Sequence, residues 1–221
     1  MNQKTWKPFT KHDLKKAEVK LLRDGRWGNA CVSVATINGE RWTIKDFSSR
    51  HWLVRNTFGK FVLGRELRAL ERISGIKGVP GKAFMLDEHT LAIEFIPGRS
   101  LSQVPKEEVT SEYLKGCEEI IRSIHKRGIV HLDTRGTGNW VMKEDGTPGL
   151  IDFQAGVYTK NIPSKLRSFM EDMDLGGVYK KWKNYRPDEM GDFRSSENER
   201  ISKLRNLWII KGYFGVKKKH K

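Results

Sequence analysis

Only two cysteines, Cys31 and Cys117, occur in 221 residues. That is too few for a disulfide scaffold or a cysteine-built zinc site, and it fits a reducing compartment. Acidic residues are also in the minority: 27 Asp and Glu against 42 Lys and Arg leave a formal charge of +15. Such an excess implies a polyanionic partner, whether nucleic acid, an anionic membrane surface or a phosphate-rich substrate. No apolar run approaches the length of a membrane span, and "MNQKTWKPFTKHDLKK" lacks the apolar core of a signal peptide. The expectation is a soluble or peripheral protein of the cytoplasm, or of the inner face of its membrane. No internal repeat is present, and apart from the basic "VKKKHK" there is no low-complexity stretch. Hydrophobic residues at 37%, with seven Trp and ten Phe, are too many for a wholly disordered chain.

The segment "KHDLKKAEVKLL" reads as a short basic helix. Next, "ACVSVATI" and "RWTIKDF" are rich in β-branched and aromatic residues and flank Asn38-Gly39, which predicts a hairpin closed by a type I′ turn. Lys45 falls near the end of the second strand. In "FVLGRELRALERI" the residues Leu63, Leu67, Leu70 and Ile73 share one face at helical spacing. Glu66 projects inside that face and Glu71 at its margin. A carboxylate facing a core requires a cationic partner unless it snorkels to solvent.

Further on, "AFMLDEHTLAIEFIPGRSL" predicts two strands about a turn at Asp87-Glu88, ending at Pro97-Gly98. The stretch "TSEYLKGCEEIIRSIHKRG" predicts an amphipathic helix with Leu114, Cys117, Ile121 and Ile124 inside, Thr110 or Ser111 as its cap and Gly128 as its stop. From "IPSKLRSFMEDMDLGG" onward the pattern is mostly helical with basic faces. Strands thus precede helices, and the expected fold class is α+β in two lobes, residues 1–98 and 99–221, joined near Pro97-Gly98.

In "GIVHLDTRGTGNWVMKEDGTPGLIDFQAG" two apolar runs each end in an aspartate, Asp133 and Asp152, with Asn139 between them. Any one of these residues could cap a turn. In this order, after a strand lysine and a core-facing glutamate, they resemble the protein-kinase-like fold over about Asp24 to Gly156. The resemblance implies ATP and Mg²⁺ as cofactors. "HLDTRGTGN" is similar to the kinase catalytic loop, which makes Asp133 the catalytic base, Arg135 a cation at the transferred phosphate and Asn139 a magnesium ligand. "IDFQAG" resembles the metal-binding element and makes Asp152 the main magnesium ligand. Lys45 takes the place of the lysine that holds the α- and β-phosphates, and Glu66 that of its partner. "DGRWGNACVSV" stands where the phosphate-covering loop belongs, with Gly25 and Gly28 allowing backbone approach. "AIEFIPGRSL" resembles the adenine connector, with Glu94 and Ile96 offering backbone groups to the base. These residue types suit the chemistry: phosphoryl transfer depends on positioning and charge neutralisation, and carboxylate and amide oxygens suit Mg²⁺. "GIKGVPGKA" is no phosphate-binding loop of the GxxxxGK[ST] kind, because Gly75 is out of register and Ala83 replaces the metal-binding hydroxyl.

The chain departs from typical protein kinases in several ways. Asn139 follows Asp133 by one residue more, the metal motif reads Asp-Phe-Gln-Ala-Gly, and no Ala-Pro-Glu element follows. This trimmed C-terminal part resembles most closely the lipopolysaccharide core kinases of the Kdo/WaaP family, to which "GRELRALERISGIKGVPG" is also similar, and nearly as closely the RIO-type atypical kinases. The first resemblance implies phosphorylation of a lipopolysaccharide core sugar and an anionic sugar or glycolipid acceptor. The second implies a serine/threonine protein kinase with a protein acceptor. A third reading is a non-catalytic basic adaptor. Ile201, Leu204 and Trp208 lie near one helical side, fit either for an anionic membrane surface or for packing on the C-terminal lobe. "VYKKWKNYRP" interleaves aromatics with cations as nucleic-acid binders do, although nucleic acid is the less favoured partner.

Overall fold

The computed structural model describes residues 7–25 and 28–207. Helix α1 (Lys11–Lys16) opens with a reciprocal cap. Thr10 Oγ1 accepts from the Asp13 N–H, and the Asp13 carboxylate accepts from the Thr10 N–H. The helix then stops. Where the sequence reading continued it through Leu22, the chain forms strand β1 (Glu18–Arg23), whose six residues are all exposed. Backbone pairing to β2 holds this edge strand, so it carries no burial pattern from which a strand could be read.

Strands β2 (Cys31–Ile37) and β3 (Glu40–Asp46) form the expected hairpin, with Asn38 at φ 52° and Gly39 at φ 78° in the left-handed region that a type I′ turn demands. With β4 (Ala83–Asp87) and β5 (Thr90–Glu94) they complete an antiparallel sheet in the order β1-β2-β3-β5-β4. Side chains alternate along β3. Trp42 and Ile44 enter one face, where Phe9, Trp42 and Phe84 meet edge to face at centroid distances of 5.1–5.4 Å. Lys45 points the opposite way, toward the helix covering the other face. That helical stretch comprises α2 (Trp52–Val54), a π turn (Arg55–Gly59) and α3 (Lys60–Ile73). Leu63, Leu70, Ile73 and Glu66 are buried, and Leu67 is partly so.

In the C-terminal part, α4 (Ser111–Lys126) is capped by Thr110 and stopped at Gly128, φ 76°. Strand β6 (Arg99–Ser100) pairs with β8 (Trp140–Met142), which pairs with β9 (Pro148–Leu150), while β7 (Ile129–Val130) pairs with β10 (Val157–Tyr158). Helices α5 (Ser164–Tyr185) and α6 (Gly191–Leu207) close the molecule. Residues 153–163 hold one 3-10 turn and β10, so only a short link runs from Asp152 to α5. Ile201 is buried against Gly176, so it packs within the fold. Leu204 is partly buried, and Trp208 lies outside the described residues. Among the described residues no helix is long and apolar enough to cross a membrane. The architecture is α+β, with a β-sheet N-terminal part and a helical C-terminal part, as in a kinase-like fold.

Candidate active site

Strand alternation delivers Lys45 to the α3 side of the sheet, and helical spacing delivers Glu66 to the sheet side of α3. Lys45 Nζ lies 2.7 and 2.8 Å from the two Glu66 carboxylate oxygens and 2.6 Å from Asp152 Oδ1. All three side chains are largely shielded, at 8%, 1% and 19% exposure. Burial opposes the charge on Lys45, but Asp152 and Glu66 outweigh it and its pKa rises. Burial likewise opposes the charge on Asp152, and Lys45 overrides it, so that carboxyl is held below the usual range. One cation faces two carboxylates, and the residual cost of burial falls on Glu66, whose pKa is raised despite Lys45. Asp152 is left-handed, at φ 68° and ψ 66°. Such strain in a residue other than glycine persists only where the surroundings impose it.

Asp133 and Asn139 come to the same place by another route. Asn139 Nδ2 donates to Asp133 Oδ2 at 2.8 Å and to the Asp133 carbonyl at 3.1 Å. The Asn139 carbonyl accepts from the Ile151 N–H at 2.9 Å, which sets the loop beside Asp152. Burial raises the pKa of Asp133, although Asn139 donates to it. His131 ties the two segments further. Its Nδ1 accepts from the Asp133 N–H at 3.2 Å and its Nε2 donates to the Ile151 carbonyl at 3.1 Å, which fixes the tautomer.

Asp174, in "MEDMDLGG", is a residue that sequence reasoning missed. It is fully buried on α5, and its two oxygens accept from the His131 and Leu132 N–H groups at 2.7 Å each. His125 Nε2 also reaches it at 3.0 Å, and its carbonyl accepts from Thr134 Oγ1 at 2.8 Å. Leu132 sits at φ 62°, a conformation these bonds hold in place. Lys181, one α5 face further on, donates to the Thr134 carbonyl at 2.5 Å and more weakly to those of Arg135 and Gly177. Burial pulls its pKa down to about 7. The available signal was a carboxylate and a lysine on the inner side of a helix interrupted by two glycines. Gly177 is required there, since a Cβ would stand 2.9 Å from the Arg135 nitrogen.

The other sequence-derived candidates are less tightly drawn together. Arg135 is half-buried in the same loop and makes no side-chain ion pair among the described residues. Gly25 is buried, and a Cβ there would run into the Asn29 and Ala30 carbonyls of its own turn, whereas Gly28 has open space around it. Arg26 and Trp27 between them lie outside the described residues. Glu94 ends β5. Its N–H donates to the Lys82 carbonyl and its carboxylate accepts from the Gly81 N–H, so the backbone group it can offer is its carbonyl. Ile96 follows just beyond the strand, with its side chain laid over Gly149.

Lys45 and Asp152 are thus bonded to each other, Asn139 to Asp133, and the Ile151 N–H joins the two groups through the Asn139 carbonyl. This donor set offers oxygens to a hard cation and an ammonium to a polyanion. Among the described residues no cluster of three or more His, Cys, Asp or Glu is placed to hold a metal by itself. The family model for the RIO domain matches residues 36–199, most of the chain. Comparison with curated proteins gives no match.

Proposed function

Since the chain belongs to the RIO domain family, we propose that it is an ATP- and Mg²⁺-dependent kinase that phosphorylates serine or threonine hydroxyls of a protein. The observation that carries this reading is the meeting of Lys45 with both Glu66 and Asp152, beside a bonded Asp133–Asn139 pair. Asp152 and Asn139 supply hard oxygens that fit Mg²⁺, which binds through one or two protein groups and completes its shell with phosphate and water. When bound, Mg²⁺-ATP supplies the phosphoryl group and a charge-neutralised leaving group. Lys45, braced by Glu66, presents its ammonium to the α- and β-phosphates. The carbonyl of Glu94 and the backbone of Ile96 meet the adenine. Gly25 and Gly28 belong to the turn that covers the phosphates.

Asp133, oriented by Asn139 and tethered through His131, accepts the proton of the acceptor hydroxyl as its oxygen approaches the phosphorus. The raised pKa of Asp133 favours that transfer. Arg135 balances charge on the transferred group. A lipopolysaccharide core sugar, the acceptor of the closest sequence resemblance, gains no support from the family match. The protein acceptor takes its place as our reading.

The test is incubation of the purified protein with γ-labelled ATP and Mg²⁺, offering a cell protein extract and core oligosaccharide in parallel, with labelled species identified by mass. Label on serine or threonine is the expected result. Asp133→Ala and Asp152→Ala each lower it by at least ~100-fold without unfolding the chain. Label on the sugar would restore the lipopolysaccharide reading. ATP binding without transfer to either would favour an adaptor.

A further inference from the structure

Next to the Asp133 loop, three cations crowd together with no anion to balance them among the described residues. Arg135 lies in the loop, Lys180 on α5 and Arg205 on α6. Burial and the proximity of Arg205 depress the pKa of Arg135, and burial with Arg135 and Arg205 depresses that of Lys180. Neighbouring arginines on α6 are satisfied: Arg194 bonds to Glu118, and Arg200 to Asp172 and Glu197. Asp133 is turned to Asn139.

The backbone explains the convergence. Lys181 bonds to the Thr134 and Arg135 carbonyls, and the missing side chain of Gly177 leaves room for the Thr134–Arg135 backbone, so α5 lies directly on this loop. Ile201 packs on Gly176, while Arg194 stacks on Trp182 and Arg200 pairs with Asp172, which sets α6 antiparallel along α5. Helical side chains lean toward the N-terminus of their own helix. Lys180 therefore leans back toward Gly176 and Gly177 and Arg205 leans back toward Ile201, which brings both charges within electrostatic reach of Arg135.

Crowding like charges at half-buried positions is unfavourable unless a ligand of opposite sign completes the set. A guanidinium fork and an ammonium match a phosphate dianion, with its three acceptor oxygens, better than a single carboxylate. Among the described residues Trp140, Tyr179 and Trp182 are buried and Tyr185 is partly so, which leaves no run of exposed rings for base stacking. We propose that Lys180 and Arg205, beside Arg135, bind a phosphorylated side chain of the protein acceptor a few residues from its reacting hydroxyl, while Arg135 stays with the transferred group. This rests on the kinase reading above, and it makes the enzyme one that acts on segments already phosphorylated.

The test is fluorescence anisotropy at near-physiological salt. The probes are labelled peptides with a central serine and a phosphoserine placed in turn at each flanking position, each matched to its unphosphorylated twin. The wild type should bind at least one phosphopeptide ~10-fold more tightly than its twin, as expected for charge-assisted hydrogen bonds. Lys180→Gln combined with Arg205→Gln should abolish the preference, and Lys180→Arg should retain it. Lys15→Gln with Lys16→Gln, which removes equal charge from exposed α1, should leave it intact. The proposal is overturned if no position gives a preference, if the preference survives the double variant, or if a single-stranded RNA oligonucleotide displaces the peptides through the same two residues. Binding does not depend on turnover. A phosphopeptide bound through Lys180 and Arg205 but never phosphorylated would sustain the anion site and sink the kinase reading. Transfer to peptides without regard to flanking phosphate would do the reverse.

Discussion

Lys45 and Lys181 are both buried, 6% and 2% exposed, yet the protein holds them in opposite ways. Lys45 hangs from the sheet against two carboxylates, which keep it charged and raise its pKa. Lys181 stands on α5 against three backbone carbonyls and no carboxylate, and burial brings its pKa to about 7. The first arrangement keeps an ammonium charged among buried carboxylates. The second uses a lysine as a tether whose charge is marginal, and what it tethers is the loop that presents Asp133 and Arg135. Around Lys45 the sequence invests in charge pairing, around Lys181 in hydrogen bonds to the backbone.

Breaking the charge pair should have the largest effect. Lys45→Met strands Glu66 and Asp152 as buried carboxylates and should lower unfolding stability by about 3–5 kcal/mol in urea titrations. Adding Glu66→Met should recover much of that stability while phosphoryl transfer stays abolished, because the pair is replaced by apolar groups but the phosphate contact is still missing. Equal stability of Lys45→Met and wild type would show that the pair is not energetically coupled.

A smaller loss is expected on the tether side. Asp174→Ala leaves the His131 and Leu132 N–H groups without their acceptor, at about 1–3 kcal/mol for each buried group. Transfer rate should fall more than Mg²⁺-ATP affinity, since the loop moves while the Lys45–Asp152 side stays put. An affinity loss as large as the rate loss would contradict that division.

The sharpest test of the contrast is the pH response of Lys181→Met. In the folded protein Lys181 loses its proton near pH 7, while in the unfolded chain it keeps it to about 10.5. The unfolded state therefore binds more protons between those values, and wild-type stability should gain with rising pH across that window. Lys181→Met removes this contribution, so the stability difference, wild type minus variant, should climb from pH 7 toward pH 10. A flat difference would mean that Lys181 is charged throughout, like Lys45.

These two sides were not equally legible in the sequence. Lys45 and Glu66 each sit in an element with a clear period, so their facing directions follow from alternation in β3 and from the Leu63–Leu70–Ile73 stripe in α3. Asp133, Asn139 and Asp152 stood out through motif order, and the fold adds that Asn139 bonds to Asp133 and Asp152 to Lys45. Asp174 and Lys181 were not, because their partners are backbone groups some forty residues away and no side-chain pattern records a carbonyl or an N–H. Strand β1 was misread as helix for a related reason: with every residue exposed, its identity resides in its pairing to β2 alone. The Arg135–Lys180–Arg205 cluster needs the antiparallel setting of α5 and α6, which the basic faces of those helices did not reveal.

The most direct test of the cleft is calorimetric titration of ATP at a series of Mg²⁺ concentrations, for the wild type and for Asp152→Ala. With Asp152 and Asn139 holding the cation, wild-type affinity should rise with Mg²⁺ and the variant should lose most of that rise, by ~10-fold or more. Nucleotide affinity that ignores Mg²⁺ in the wild type, or that follows it equally well without Asp152, would contradict the account.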